Sequence, residues 1–435
     1  MAEARPRGLV VAGAASHSGK TIVAMGLIAA LRRRGFDVAA AKCGPDYIDP
    51  RYLAAAADRP AVNLDAWAMR PARLAALAAS QADGAHLLII EGVMGLFDGA
   101  PRGEGSTASL AAALGLPVVL VVDGQATAQS AAAVAEGFAR LAEGFTVAGA
   151  IVTRVASDRH AALVREGFAR ASVPLLGLVR RDERLAVPSR HLGLVQAEEQ
   201  AGLARLVARA GEAAAAGIEL DRLVEAAAPL APPPATPGAG LAPLGRHIAV
   251  ARDVAFAFAY PHLLADWRRA GAEIRFFSPL LNEAPDDAAD AIYLPGGYPE
   301  LYAGRLTAAD RFRGGLKAAA ERGALVYGEC GGYMALGEGL IDADGACHSM
   351  AGLLPLVTSF AQRRLALGYR RLDPLAGGPW GGPLAAHEFH YATIVEEGSG
   401  EPLFSAQAAD GAALGVIGRR HGRVMGSFAH VIDPA

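Results

Sequence analysis

The stretch "GLVVAGAASHSGKT", Gly8 to Thr21, carries the first decision about the fold of this chain. An apolar run ends in small residues, and Gly-Lys-Thr then opens the helical pattern "IVAMGLIAALRR". A strand, a small-residue loop and such a helix start form a phosphate cradle. In that arrangement Ser18, Gly19 and Lys20 wrap phosphates, Lys20 reaches the terminal one, and the Thr21 hydroxyl faces Mg²⁺. The spacing departs from Gly-x4-Gly-Lys-Ser/Thr, because Ala14 stands at the first glycine position and Gly13 makes the loop Gly-x5-Gly-Lys-Thr. A chance Gly-Lys-Thr at a helix start is the bland alternative; the strand before and the helix after argue against it.

Outward from this loop, short apolar runs alternate with longer Ala/Leu-rich patterns, the mark of parallel βαβ units. The N-terminal runs are "HLLIIE", "PVVLVVD", "VAGAIVT" and "VPLLGLV"; the C-terminal ones are "HIAVARD", "EIRFFSP", "AIYLPGG" and "ALVYGEC". They are apolar throughout, as strands covered by helices on both faces must be. Between the halves lies "AAAPLAPPPATPGAGLAP" (226–243), uncharged and rich in proline, which reads as a semi-rigid linker. The expectation is an α/β chain of two doubly wound domains, residues 1–227 and 246–435, joined by a linker at 228–245. A length of 435 residues suits two domains, and 52% hydrophobic residues supply both cores.

Composition excludes several roles. The net charge of −3 argues against a nucleic-acid binder. No apolar run approaches a membrane span, and the N-terminus lacks a secretory pattern, so a soluble, cytoplasmic protein is expected. Three distant cysteines, at 43, 330 and 347, form neither a disulfide framework nor a zinc spacing. Only Lys20, Lys42 and Lys317 are lysines among 41 basic residues, which makes each worth attention.

In open α/β sheets, ligands bind beyond the carboxyl ends of the strands. There "AKCGPDYIDP" (41–50) sets Asp46 and Asp49, and "LLIIEGVMGLFDG" (87–99) sets Glu91 and Asp98. Acids at strand ends beside a phosphate loop suit Mg²⁺, a hard cation that prefers oxygen; plain turns are the alternative for each segment alone. In the other half, "LVYGECGGYMALG" (325–337) places Cys330 at a sharp strand-to-helix bend. A nucleophilic cysteine needs such a bend, amides for the oxyanion and a base. Gly331 and, in "YLPGGYPE" (293–300), Gly296 and Gly297 offer the amides; His430, expected just after the last strand, offers the base. The helix start is expected to favour the thiolate. A buried structural thiol is the alternative.

The ordered set "SGKT", "GPDYIDP", "EGVMGLFDG", "SRHLGLV" (189–195), "YLPGGYPEL", "GECGGYMALG", "HEFHYAT" (387–393) and "GSFAH" resembles the cobyrinic or hydrogenobyrinic acid a,c-diamide synthase family of cobalamin biosynthesis. The second half is similar to class I glutamine amidotransferase domains of the cobyric acid synthase type. The first is similar to the P-loop domain of dethiobiotin synthetase. The resemblance implies a glutaminase in which Cys330 attacks the glutamine amide, with His430 as its base. It also implies an ATP–Mg²⁺ domain that amidates corrin carboxylates, by way of an acyl phosphate. On that reading Asp46 and Glu91 ligate Mg²⁺ with Thr21, and Asp49, Asp98 and Glu388 orient substrate or phosphate. The partners implied are ATP, L-glutamine and hydrogenobyrinic or cobyrinic acid, with a homodimer as the candidate assembly and neither nucleic acid nor membrane. Un-ionised ammonia favours a sheltered route between the two sites.

Two departures stand out. Ordinary class I glutaminases carry Glu two residues after the histidine, whereas Val431 and Ile432 follow His430; and Thr153 stands where related ATP domains often carry Asn. The "HEFH" segment has no metal spacing, His191 is as readily a plain loop histidine, and Arg363, Arg364, Arg370 and Arg371 read as a solvated face. The competing readings are a cobyric acid synthase that amidates other corrin carboxylates and a non-catalytic regulatory ATPase. The wording "HEFHYATIV" and "GSFAHVID" looks nearer the cobalt-free route, which puts hydrogenobyrinic acid first.

Overall fold

The computed structural model describes residues 5–187, 189–190, 193–236 and 238–435. His191 lies outside them. The chain divides into two compact units, Met1–Gly238 and Ala239–Ala435. Among the described residues no helix is long and apolar enough to cross a membrane.

In the first unit, seven parallel strands form one sheet: β1 (Arg7–Gly13), β2 (Val38–Cys43), β3 (Val62–Leu64), β4 (Leu87–Glu91), β5 (Val118–Asp123), β6 (Val147–Val155) and β7 (Leu175–Arg180). Their order is β3-β2-β4-β1-β5-β6-β7. The reversal of winding at β1 and its neighbours puts the carboxyl ends of β1, β2 and β4 side by side, where a ligand crevice forms. Helices α1 (Lys20–Arg33) and α2 (Asp49–Ala57) begin at that edge. The proline-rich stretch does not begin as free linker. Its strand β8 (Ala228–Pro229) pairs antiparallel with Arg7 and Gly8, and the Leu230 amide donates to Pro6 O at 2.9 Å.

The second unit is only partly a wound parallel sheet. The strands of its main sheet are β9 (His247–Ala251), β10 (Glu273–Phe277), β11 (Ala291–Leu294), β12 (Leu325–Glu329), β13 (Ala366–Pro374), β14 (Leu384–His390), β15 (Glu401–Ala408), β16 (Ala413–His421), β17 (Val424–Ser427) and β18 (His430–Pro434); Gly339–Ile341, Cys347–Ser349, Leu356–Ser359 and Thr393–Glu397 form a separate small sheet. The order is β10-β9-β11-β12-β17-β16-β15-β13-β14-β18. The first five positions run parallel; every later pairing is antiparallel. His430 therefore does not follow the last strand. It opens β18, and the register of β14 with β18 sets it opposite His387. Strand β12 ends at Glu329, and after Cys330 α3 (Gly331–Leu336) begins on a core that includes Phe256, Phe312, Leu316 and Tyr333.

Candidate active site

The phosphate loop has the geometry its sequence announced. Gly19 caps α1 in a left-handed conformation (φ 91°), and no side chain bonds the first-turn amides. Those amides therefore remain for an anion. The Thr153 hydroxyl donates to Ser18 O at 2.8 Å, and Arg154 joins Asp123 to the His17 carbonyl, so β5 and β6 brace the loop from behind. Thr153 thus has a structural task that keeps its hydroxyl on the loop. The Ser18 hydroxyl is buried without a hydrogen-bond partner.

Next to the loop lies a compact charge cluster. The Thr21 hydroxyl donates to Glu91 Oε1 at 2.6 Å. Lys42 Nζ stands 3.0 Å from the same oxygen and 2.6 Å from Asp49 Oδ2, and it donates to Gly92 O. Glu91 Oε2 is buried with no hydrogen-bond partner. Burial lifts the Glu91 carboxyl to about 7 although Lys42 pulls the other way. Burial and then Asp49 lift Asp46 to about 6. Burial would lower Lys42, but Asp49, Glu91 and Asp46 outweigh it and hold the ammonium charged. Lys20 is pushed down by burial and by Lys42, against Glu91, Asp49 and Asp98.

Most of the expected N-terminal residues thus meet at one place. The Leu96 amide donates to Gly13 O at 2.8 Å, which lays the 92–98 loop against the phosphate loop, and Asp98 Oδ2 closes that loop by accepting from the Gly95 amide. Asp46 differs, because its Oδ1 accepts from the Ile48 and Asp49 amides at 2.8 and 2.9 Å at the start of α2. That oxygen holds backbone. Lys42, the residue at the centre, escaped the sequence reading; its signal was a rare lysine at the polar end of a buried strand.

In the second unit Cys330 occupies φ 47°, ψ −106° between β12 and α3. A non-glycine residue there carries strain on the order of 1–3 kcal/mol, which surrounding contacts must hold. They do: the Cys330 amide donates to Ser427 O at 2.8 Å, and a Cβ on Gly332 would collide with the Leu294 carbonyl. The same crowding unites the proposed pair. A methyl on Gly296 would sit 2.9 Å from His430 Nε2 and 3.2 Å from Cys330 Cβ. Both side chains therefore line one face of Gly296. The Gly297 amide nitrogen lies 3.0 Å from where a Gly331 Cβ would be, so the three glycines line one corner beside the sulfur.

The expected resting thiolate is overturned. Burial, followed by Glu300, pushes the Cys330 thiol well above its ordinary range, and the Gly331 amide offsets this only in part. The helix of six residues is too short and too buried to win. Burial, with His387 and His390 nearby, likewise lowers His430 to about 3. Both partners rest neutral. Glu388 sits with this pair: it accepts from Arg370 Nε at 2.7 Å, pairs with His390 Nε2 at 2.8 Å, and acts electrostatically on Cys330 and His430. Arg370 is thus half of a partly buried pair, not a solvated side chain. Among the described residues no group of His, Cys, Asp and Glu is arranged to hold a metal by itself. Cys43 is inert, its thiol pushed up to about 12 by burial.

Glu329, also missed in the sequence, is fully buried beside the nucleophile. It accepts from the Tyr293 hydroxyl at 2.7 Å and the Val431 amide at 3.1 Å, and its Oε2 is 3.8 Å from His430 Nδ1. Its signal was a charged residue at the end of the apolar run "ALVYGEC".

Comparison with known proteins agrees with this division. Residues 9–195 match the CobQ/CobB/MinD/ParA nucleotide binding domain, and residues 247–433 match the CobB/CobQ-like glutamine amidotransferase domain. The hydrogenobyrinate a,c-diamide synthase of a Sinorhizobium species is 53% identical over 98% of this chain and 99% of its own length. That of Rhizobium meliloti (strain 1021) is 54% identical over 98% and 99%. That of Rhodobacter capsulatus is 51% identical, again over 98% and 99%. With a braced phosphate loop in one unit, a Cys–His pair in the other and relatives that match both from end to end, the chain belongs to the hydrogenobyrinate a,c-diamide synthase family.

Proposed function

We propose that this chain amidates the a and c carboxylates of hydrogenobyrinic acid, with ATP as phosphoryl donor and L-glutamine as nitrogen donor. The observation that carries the reading is the presence, in one chain, of a Cys330–His430 pair on Gly296 and a Lys42-centred carboxylate cluster at a phosphate loop.

A carboxylate is a poor electrophile at neutral pH. Attack of its oxygen on the γ-phosphorus of ATP releases ADP and leaves an acyl phosphate. Ammonia then attacks the acyl carbon, phosphate departs, and an amide remains. Ser18, Gly19 and Lys20 hold the phosphates. Asp49 and Asp98 face Lys20 and orient the phosphoryl group or the substrate carboxylate. Lys42 pairs with Glu91 and Asp49 and favours the carboxylate form of the buried Glu91. Thr21 and Glu91 fit Mg²⁺: they are hard oxygen donors already in contact, and Glu91 has a second buried oxygen with no hydrogen-bond partner. Mg²⁺ commonly takes one or two protein carboxylates, the rest of its shell being phosphate and water. When bound, it would neutralise charge on the phosphates. Asp46 fits less well as a direct ligand, because one oxygen caps α2.

In the second unit, His430 takes the Cys330 proton as sulfur attacks the glutamine amide carbon. Amides of Gly297 and Gly331 donate to the oxyanion, with Gly296 giving the pair room. The proton passes to departing ammonia, and water releases glutamate from the thioester. The test crosses two variants. Glu91→Gln is expected to lose amidation with glutamine or ammonium yet retain glutaminase activity. Cys330→Ala is expected to lose glutamine use yet amidate with ammonium. Amidation surviving in Glu91→Gln, or glutamine use surviving in Cys330→Ala, would remove the respective assignment.

A further inference from the structure

The imidazole edges of His430 face different surroundings. Its Nε2–Cε1 edge lies against Gly296 and Cys330, while Nδ1 points toward Glu329 Oε2 at 3.8 Å. The position two residues after His430 is Ile432, so no carboxylate stands there to perform this task. Glu388 is the other nearby acid, but its two oxygens already serve His390 and Arg370. Glu329 is fixed from two sides, by the Tyr293 hydroxyl and by the Val431 amide next to His430 itself. Its backbone is continuous with the nucleophile.

We infer that Glu329 is a positioning residue for the glutaminase: it holds His430 with the proton on Nδ1 and stabilises the imidazolium that forms when Cys330 Sγ gives its proton to Nε2. The inference rests on the glutaminase reading above. The orienting carboxylate thus comes from the residue before the nucleophile, on β12. A neutral imidazole draws little from a carboxylate at this distance; attraction rises as the ring becomes charged. That support matters here because most surroundings oppose the charge. His387 and His390 on β14 disfavour a positive His430 and Glu388 favours it; Glu329 stands on the Nδ1 side at 3.8 Å. Glu300, Glu388 and Glu329 disfavour the thiolate. Tyr293 and Tyr327 face Glu329, whose carboxyl burial lifts to about 7.

The experiment follows the rate of Cys330 alkylation by iodoacetamide against pH, together with glutaminase kcat and KM, in Glu329→Gln and Glu329→Asp. Glu329→Gln is expected to move the alkylation midpoint up by about one pH unit or more. It should lower kcat by about 10²-fold while KM stays within about twofold, since the lost interaction belongs to the transition state. Glu329→Asp, which keeps the charge, should return the midpoint to within about half a unit of the unaltered enzyme. An unmoved midpoint in Glu329→Gln, or the same displacement in both variants, overturns the inference. A second measurement needs no change at Glu329: ¹⁵N signals of His430 in the unaltered chain, assigned by difference from His430→Asn, should show the proton on Nδ1. A proton on Nε2 in the resting enzyme overturns it. The underlying reading fails separately, by glutamine use persisting in Cys330→Ala.

Discussion

The two units hold reactive groups ready by opposite means. In the first, a buried cation does it: Lys42, 2% exposed, lies between Asp49 and Glu91 and pulls Glu91 toward its charged form against the burial that raises it. In the second, burial itself does it: Cys330 and His430 rest uncharged, and neither ionises until the proton moves between them. Phosphoryl transfer needs fixed charge to meet phosphates, whereas thiol attack needs charge only in the transition state. The residues around each site follow from that difference.

The largest expected effect comes from removing the cation. Lys42→Met leaves Glu91 and Asp49 buried without their partner, a loss on the order of 3–5 kcal/mol when a buried pair is broken from one side. Amidation should fall by about 10²- to 10³-fold with glutamine and with ammonium alike, because each 1.4 kcal/mol is about tenfold. Glutaminase activity, measured as glutamate release, should stay within about threefold. A fall in glutaminase as large as that in amidation would erase the distinction between the units.

A smaller, one-sided effect is expected at Gly296. Its α-carbon is the floor under Cys330 and His430, so Gly296→Ala displaces the imidazole. Misplacing a catalytic group by about 1 Å can cost about 10²-fold. Glutamine-dependent amidation should drop by that order, and ammonium-dependent amidation should not. Equal loss from both nitrogen donors would mean that the glycine serves the fold and not the pair.

The smallest effect lies in stability. Glu91 and Asp46 have folded values raised to about 7 and about 6, so their contribution is full below the unfolded carboxylate range and is lost as pH rises through those values. Acidification from pH 7 to 5 should therefore stabilise the first unit. In the second, Glu329 at about 7 acts in the same direction, but His387 and His430, both lowered to about 3, act oppositely below about 6.5. Two histidines against one carboxylate give a net loss on acidification. Hydrogen-exchange protection factors, read from peptides of each unit in the intact chain, should move in opposite directions. Movement in the same direction would contradict the charge states described here.

What was legible in the sequence follows the same division. The phosphate loop, the strand-end acids and the Cys330 bend are contiguous motifs, each fixed by local backbone requirements. Most of the strand runs were apolar enough to read because they are buried in their sheets, the half-exposed edge strand Glu273–Phe277 excepted. The antiparallel half of the second sheet was not, since strands such as Ala413–His421 are largely exposed and carry no apolar run to mark them. Lys42 and Glu329 were missed for a different reason. Each meets its partners only through space, after neighbouring parallel strands align their carboxyl ends. The thiolate expectation failed because sequence shows a helix start but not the depth at which it is buried.

The most direct test of the central claim is mass spectrometry of hydrogenobyrinic acid incubated with enzyme, Mg-ATP and glutamine labelled with ¹⁵N in its amide. The account predicts two successive amidations, each carrying the label, and unlabelled amidation when Cys330→Ala is supplied with labelled glutamine and ordinary ammonium. No change in the mass of hydrogenobyrinic acid, or amidation confined to cobyrinic acid, would contradict it.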